Sequence, residues 1–257
     1  MSRALDSLTS SLEEFKSDMA FVSLAAQLRP RVGDVVDWKT QSQVISLAKK
    51  FMGFKDARPE TIYGALLVRA IAEFERYLRQ IVEHAINERA AAAACFDDVT
   101  PTLARRNLVL TAKLLAAIDT PRDHLSINSE TLIENLASCK SGNTVFKLNP
   151  EAFYAGLAGV SPNNVERALD YIEVSGLWDG IGADQPLASV LTTRGTRPTG
   201  DRAREYLADL CRWRNQLAHG GDAQPTISEA LLSDAVEFLK SFSKALDKFL
   251  LTRLKKA

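Results

Sequence analysis

Apolar residues along this chain recur at gaps of three and four, the period of an α-helix, and never alternate long enough to make a strand. Leu5, Leu8, Leu12, Phe15, Met19 and Val22 form such a series and predict an amphipathic helix over residues 3–29, closed by Arg29-Pro30 and Gly33. A second short helix is expected from Gln41 to Met52. The longest run lies between Pro59 and Ala94. There Leu67, Ile71, Phe74, Leu78, Ile81 and Ala85 make a seam for packing against other helices, and the alanines of 90–94 extend it.

Punctuation residues place the remaining elements. Thr100-Pro101 and Ser161-Pro162 each read as an N-cap followed by proline in the first turn, opening helices to about Ile118 and Val174. Between them, 119–160 is a mixed region with short helical pieces around Leu132 and Phe153. Gly176 to Gly200, rich in Gly, Pro and Thr, reads as loop. Asp201 is expected to cap a helix through Leu217 that Gly220-Gly221 closes. Thr226-Ile-Ser-Glu229 reads as a capping box before a last helix carrying Leu231, Ala235, Phe238, Phe242, Ala245 and Phe249. The expected fold is all-α: a helical bundle over 58–257 with an inserted region at about 119–200, and an N-terminal helical extension over 1–57. Its core should pair the helix 59–94 with those at 201–219 and 226–254.

Composition narrows the function. The chain is 46% apolar and 25% charged with zero formal net charge, so a nucleic acid would have to be held by a local patch. Cys95, Cys139 and Cys211 are scattered, as are His84, His124 and His219; no metal site or cofactor is expected from their spacing, and the cysteines read as reduced. No secretion signal and no membrane-length apolar run is present, so a cytoplasmic location and no membrane partner are expected. Motifs for P-loop nucleotide hydrolysis, dinucleotide redox work and serine hydrolysis are missing.

The chemistry gathers at Arg214-Asn215-Gln216-Leu217-Ala218-His219. On a helical wheel Tyr206, Leu207, Leu210, Trp213, Leu217 and Ala218 share one broad arc, and Arg214 falls inside it. A guanidinium cannot lose its proton there and needs a partner or a ligand; Glu75, beside Phe74 on the long helix, is the candidate. His219 occupies the last turn, where the carbonyl end of a helix favours positive charge. An arginine fork suits a phosphate and an imidazole suits proton transfer, so the pair can cleave RNA by attack of the 2′-hydroxyl on the adjacent phosphate. Arg214 and His219 diverge by about 140° on a straight helix, and one imidazole cannot easily serve as both base and acid. Either the arginine's length and a loosened final turn bring the two together, or two copies of the chain meeting across a two-fold axis complete the site.

This Arg-Asn-x-x-x-His series, followed by Gly220 and a long terminal helix, resembles the signature of the HEPN superfamily. Leu66-Leu-Val-Arg69-Ala-Ile-Ala-Glu73-Phe-Glu75-Arg-Tyr-Leu resembles the first core helix of its bacterial members, and the insertion is similar in size to that of the RiboL-PSP-HEPN branch. The resemblance spans roughly residues 60–254. It implies a HEPN-type helical homodimer and a metal-independent endoribonuclease of a toxin–antitoxin or antiviral defence system, with an antitoxin or defence protein as possible partner. It assigns the catalytic roles to Arg214 and His219 and the adjacent polar role to Asn215; Glu75 and Arg69 on the long helix are the expected supporting residues. Arg202, Arg204 and Arg212, together with Arg194 and Arg197, offer a basic path for RNA into the site. The competing reading is a non-catalytic nucleotide sensor or helical assembly or adaptor subunit.

Overall fold

The computed structural model describes residues 2–35, 59–117, 128–155, 159–192, 197–219 and 225–254. They form ten α-helices and one 3-10 turn with no strand among them. The helices are α1 (Ser2–Val35), α2 (Pro59–Ala92), α3 (Pro101–Ala116), α4 (Ser129–Ser138), α5 (Pro150–Ala155), α6 (Pro162–Tyr171), α7 (Leu177–Gly180), α8 (Gln185–Val190), α9 (Thr199–His219) and α10 (Glu229–Leu254). The all-α expectation holds. The helix expected over 41–52 and the glycines at 220–221 lie outside the described residues.

The long helix α2 is the hub, packing against α1, α5, α6, α9 and α10. Its seam residues Leu67, Ile71, Phe74, Leu78, Ile81 and Ala85 are all buried, as the spacing predicts. The α10 series contributes Phe238, Phe242 and Ala245, with Phe238 stacked on Phe242 at 5.5 Å and Trp178 stacked on the latter at 5.7 Å. α1 seats Leu8, Leu12, Phe15 and Met19 into the same core against α2 and α10. A second small cluster of Leu114, Leu132, Ala152 and Ala155 joins α3, α4 and α5.

Three boundaries differ from expectation. α1 continues through Pro30 and Gly33 to Val35, since a proline removes one helical hydrogen bond without forcing the chain to stop. α9 begins at Thr199 rather than at Asp201, with the Pro198 carbonyl accepting from Arg202 N; Asp201 instead places its charge in the first turn. The last helix is capped by Ser228, whose Oγ accepts from Leu231 N at 3.2 Å. Thr226 lies two residues too early, because Ile227 is drawn fully into the core before the helix starts.

The largest difference is in the stretch expected as loop, where α7 and α8 form. Gly176 takes a left-handed φ of 73° to start α7, and Asp184 caps α8 by accepting from Leu187 N. Leu177, Trp178, Ile181, Leu187 and Leu191 all enter the core. Helices this short do not complete enough turns for periodicity to reveal them.

Candidate active site

α9 carries the motif, and its two faces are sharply different. Ala203, Tyr206, Leu207 and Leu210 are buried, and Trp213, Arg214 and Leu217 continue that side as half-buried residues. Asp201, Arg204, Glu205, Ala208, Arg212, Asn215, Gln216, Ala218 and His219 are exposed. Ala218, expected on the apolar arc, is therefore at its solvent edge.

The start of α9 is locked. Gly200 sits so close to the Trp178 carbonyl oxygen that no Cβ fits between them. Arg202 Nη1 donates to the Leu191 carbonyl at 2.5 Å and its Nη2 to Thr199 Oγ1 at 3.2 Å, tying α9 to the end of α8. Toward the other end, the Leu217 methyls lie against Gly64, where a Cβ on α2 would come within 3.2 Å. Close backbone approach at both ends fixes the helix that presents the motif.

Arg214 lies on the core side as the wheel predicts, but only half-buried, because α9 is then in its last turns and Leu217 is its final packing contact. Its Nη1 donates to Asn215 Oδ1 at 3.1 Å. Glu75 does not serve as its ion-pair partner among the described residues. The Glu75 carboxylate accepts from Arg79 one turn along α2. Both Glu75 and Arg214 nevertheless act on Cys211. Burial raises this thiol to about 11, with Arg214 opposing the shift and Glu75 reinforcing it. Cys211 is thus a packing residue that keeps its proton, within electrostatic reach of one charge of each sign.

His219 is exposed at the carbonyl end of α9. Among the described residues no hydrogen bond joins it to Arg214, whose guanidinium donates to Asn215. Arg69 points to α1: its guanidinium sits 4.8 Å over the Phe15 ring and 3.9 Å from Asp18. Arg204 reaches Asn163 Oδ1 at 3.2 Å and Glu166 at 3.5 Å, Arg212 reaches Asp209 at 2.9 Å, and Arg197 engages Glu205 through both terminal nitrogens. Arg202 is committed to the fold, and the other described arginines of the expected path each have an acidic neighbour. Arg194, His124 and Trp38 lie outside the described residues.

Sequence reasoning missed the contact beneath the motif's end. Tyr63, next to Gly64, donates to Glu229 Oε2 at 3.4 Å and joins the starts of α2 and α10. Burial raises the Tyr63 hydroxyl, and Glu229 and Glu60 add to it. Glu229 was visible only as a capping-box member, and Tyr63 lies off the seam, so neither carried a signal of its own. Among the described residues no helix is long and apolar enough to cross a membrane, and no group of three His, Cys, Asp or Glu is placed to hold a metal ion.

Comparison with known families matches residues 39–252 to the model of RiboL-PSP-HEPN. That span holds α2 to α9 and nearly all of α10, including Arg214, Asn215 and His219, and leaves α1 outside it. The comparisons with curated proteins and with solved structures gave no match.

Proposed function

The chain belongs to the RiboL-PSP-HEPN family, and from that membership we propose that it is a metal-independent endoribonuclease. The observation that carries the reading is the split presentation of the motif. A half-buried arginine on the core side of α9 donates to exposed Asn215, and an imidazole is held out to solvent one turn further on, at the helix end.

The chemistry follows from these groups. The 2′-hydroxyl of a nucleotide attacks its own 3′-phosphorus, the bond to the next residue's 5′-oxygen breaks, and a 2′,3′-cyclic phosphate forms. An imidazole takes the 2′ proton, and an imidazolium returns a proton to the departing oxygen. The guanidinium of Arg214 neutralises charge building on the non-bridging oxygens through two parallel hydrogen bonds. Asn215 holds that guanidinium in place by accepting from Nη1. His219 is exposed and lies about 140° round the helix from its own Arg214, which favours a complete site built with a second copy of the chain. One His219 then serves as base and the other as acid.

Purified protein incubated with single-stranded RNA and EDTA should release fragments ending in 2′,3′-cyclic phosphate. His219→Ala should lower the rate by at least about a hundredfold while leaving the helical circular dichroism unchanged. Cleavage by that variant at the wild-type rate would overturn the assignment. A toxin or defence role is the biological setting the family suggests. Expression of the wild type should then arrest growth of a bacterial host, and His219→Ala should not.

A further inference from the structure

The outward strip of α9 does not end at the motif. Asp201, Glu205, Ala208, Arg212, Asn215 and His219 follow one another at three- and four-residue gaps, all exposed, so they line one side of the helix from its first turn to its last. At the far end of this strip a cleft of about 450 Å³ opens between α9 and the start of α6. Arg197, Asp201, Arg204, Glu205 and Asn163 supply its polar lining, with Pro162 and Ala208 as apolar neighbours. At 1.5 Å per residue, Ala208 stands about 16 Å from His219 along the axis, a span of a few nucleotides of extended single strand.

The charge of the cleft separates two kinds of ligand. Its two arginines are balanced by two carboxylates, whereas a groove that simply tracks phosphates carries a net positive charge. Closely interleaved donors and acceptors fit the edge of a nucleobase. Guanine is the base that suits these groups. Its N1–H and 2-amino group are adjacent donors that a carboxylate can take together, and its O6 and N7 are adjacent acceptors that an arginine can take together. Glu205 is already engaged by Arg197, while Asp201 has no cation partner among the described residues. Arg204 uses only Nη2 in its contacts with Asn163 and Glu166. The exposed methyl of Ala208, beside buried Pro162, gives the base a small apolar contact.

We propose that this cleft is a guanine-reading subsite, which selects the RNA a few nucleotides from the bond that His219 and Arg214 cleave. The inference rests on the ribonuclease reading for its ligand class, but its test does not need catalysis. His219→Ala protein is titrated with fluorescent oligouridylates of about ten nucleotides carrying one guanosine, one inosine or one adenosine. The guanosine oligomer should bind about tenfold more tightly than the adenosine one. Inosine, which lacks the 2-amino group, should fall between them. Asp201→Asn should abolish the difference between guanosine and inosine, and its melting temperature should fall by no more than a few degrees, about what losing one first-turn charge costs.

Equal binding of the three oligomers would overturn the subsite, as would selectivity that survives Asp201→Asn. So would loss of subunit pairing in Arg204→Gln measured by sedimentation, which would make the cleft part of a protein interface. Guanosine selectivity in a protein whose wild type cleaves no RNA would sink the ribonuclease reading and leave the subsite standing. Cleavage by wild type with no nucleotide preference would do the reverse.

Discussion

Two buried positions show how single residues set the limits of this fold. Gly200 faces the Trp178 carbonyl oxygen at a distance no side chain tolerates, and that oxygen is backbone, so it cannot swing aside. Gly200→Ala should therefore cost on the order of 3 kcal/mol, read as a lowered urea midpoint. Asp247 on α10 is only 7% exposed, and its Oδ1 has no hydrogen-bond partner among the described residues. Burial raises its carboxyl; His84 on α2 opposes the shift and Asp6 on α1 adds to it, while the buried hydroxyl of Tyr77 donates to Ser243 nearby. The sign follows from linkage. Below the ordinary carboxylate range the acid is neutral in both folded and unfolded chains. As pH rises through its raised folded value, the folded state comes to hold a buried charge and loses stability. Asp247→Asn should gain on the wild type in urea melts as pH climbs toward neutrality, with the gap closing in acid; a gap independent of pH would refute this.

Arg214 was legible at this same scale, since a charge placed among Leu210, Trp213 and Leu217 stands out on any wheel. Its partner was not. Glu75 and Arg79 stand one turn apart on α2, and that local pairing takes the carboxylate before a distant helix can. Sequence spacing registers such a local competitor, but it cannot say which of two arginines a carboxylate will meet in space.

Among the elements, those with long periodic faces were readable and those built from a few residues were not. α2 and α10 present four or more turns of apolar seam, while α7 and α8 show only scattered leucines between glycines. Caps were readable where a proline followed, as at Thr100 and Ser161. The start of α10 was misjudged by two residues because Ile227 is buried, a tertiary fact. The difference is measurable. Ser228→Ala should cost about 1 kcal/mol and Thr226→Ala, exposed and outside the helix, close to nothing. The reverse order would restore Thr226 as the cap. α1 lies outside the family-matched span yet buries Phe15 completely, and it is pinned by Lys16 to Glu237 and by Glu13 to Lys240. Phe15→Ala should cost about 3 to 5 kcal/mol, as for any core phenylalanine.

At the scale of the whole molecule, the bundle sets α9 with one side against α2 and the other turned outward. That geometry holds Arg214 and His219 apart in one chain, as their five-residue spacing on a helix requires. On the function proposed above, an RNA-cleaving site assembled from them draws on two chains, with the outward strips of α9 facing the same strand. Two histidines, one from each subunit, would then share one reaction.

A heterodimer of one wild-type and one His219→Ala subunit, isolated through two different affinity tags, tests this most directly. If one site needs both imidazoles, the heterodimer should cleave RNA at a few per cent or less of the wild-type rate, in line with the loss of a proton-transfer group. Half the wild-type activity would show that each subunit carries a complete site of its own, and would contradict the account.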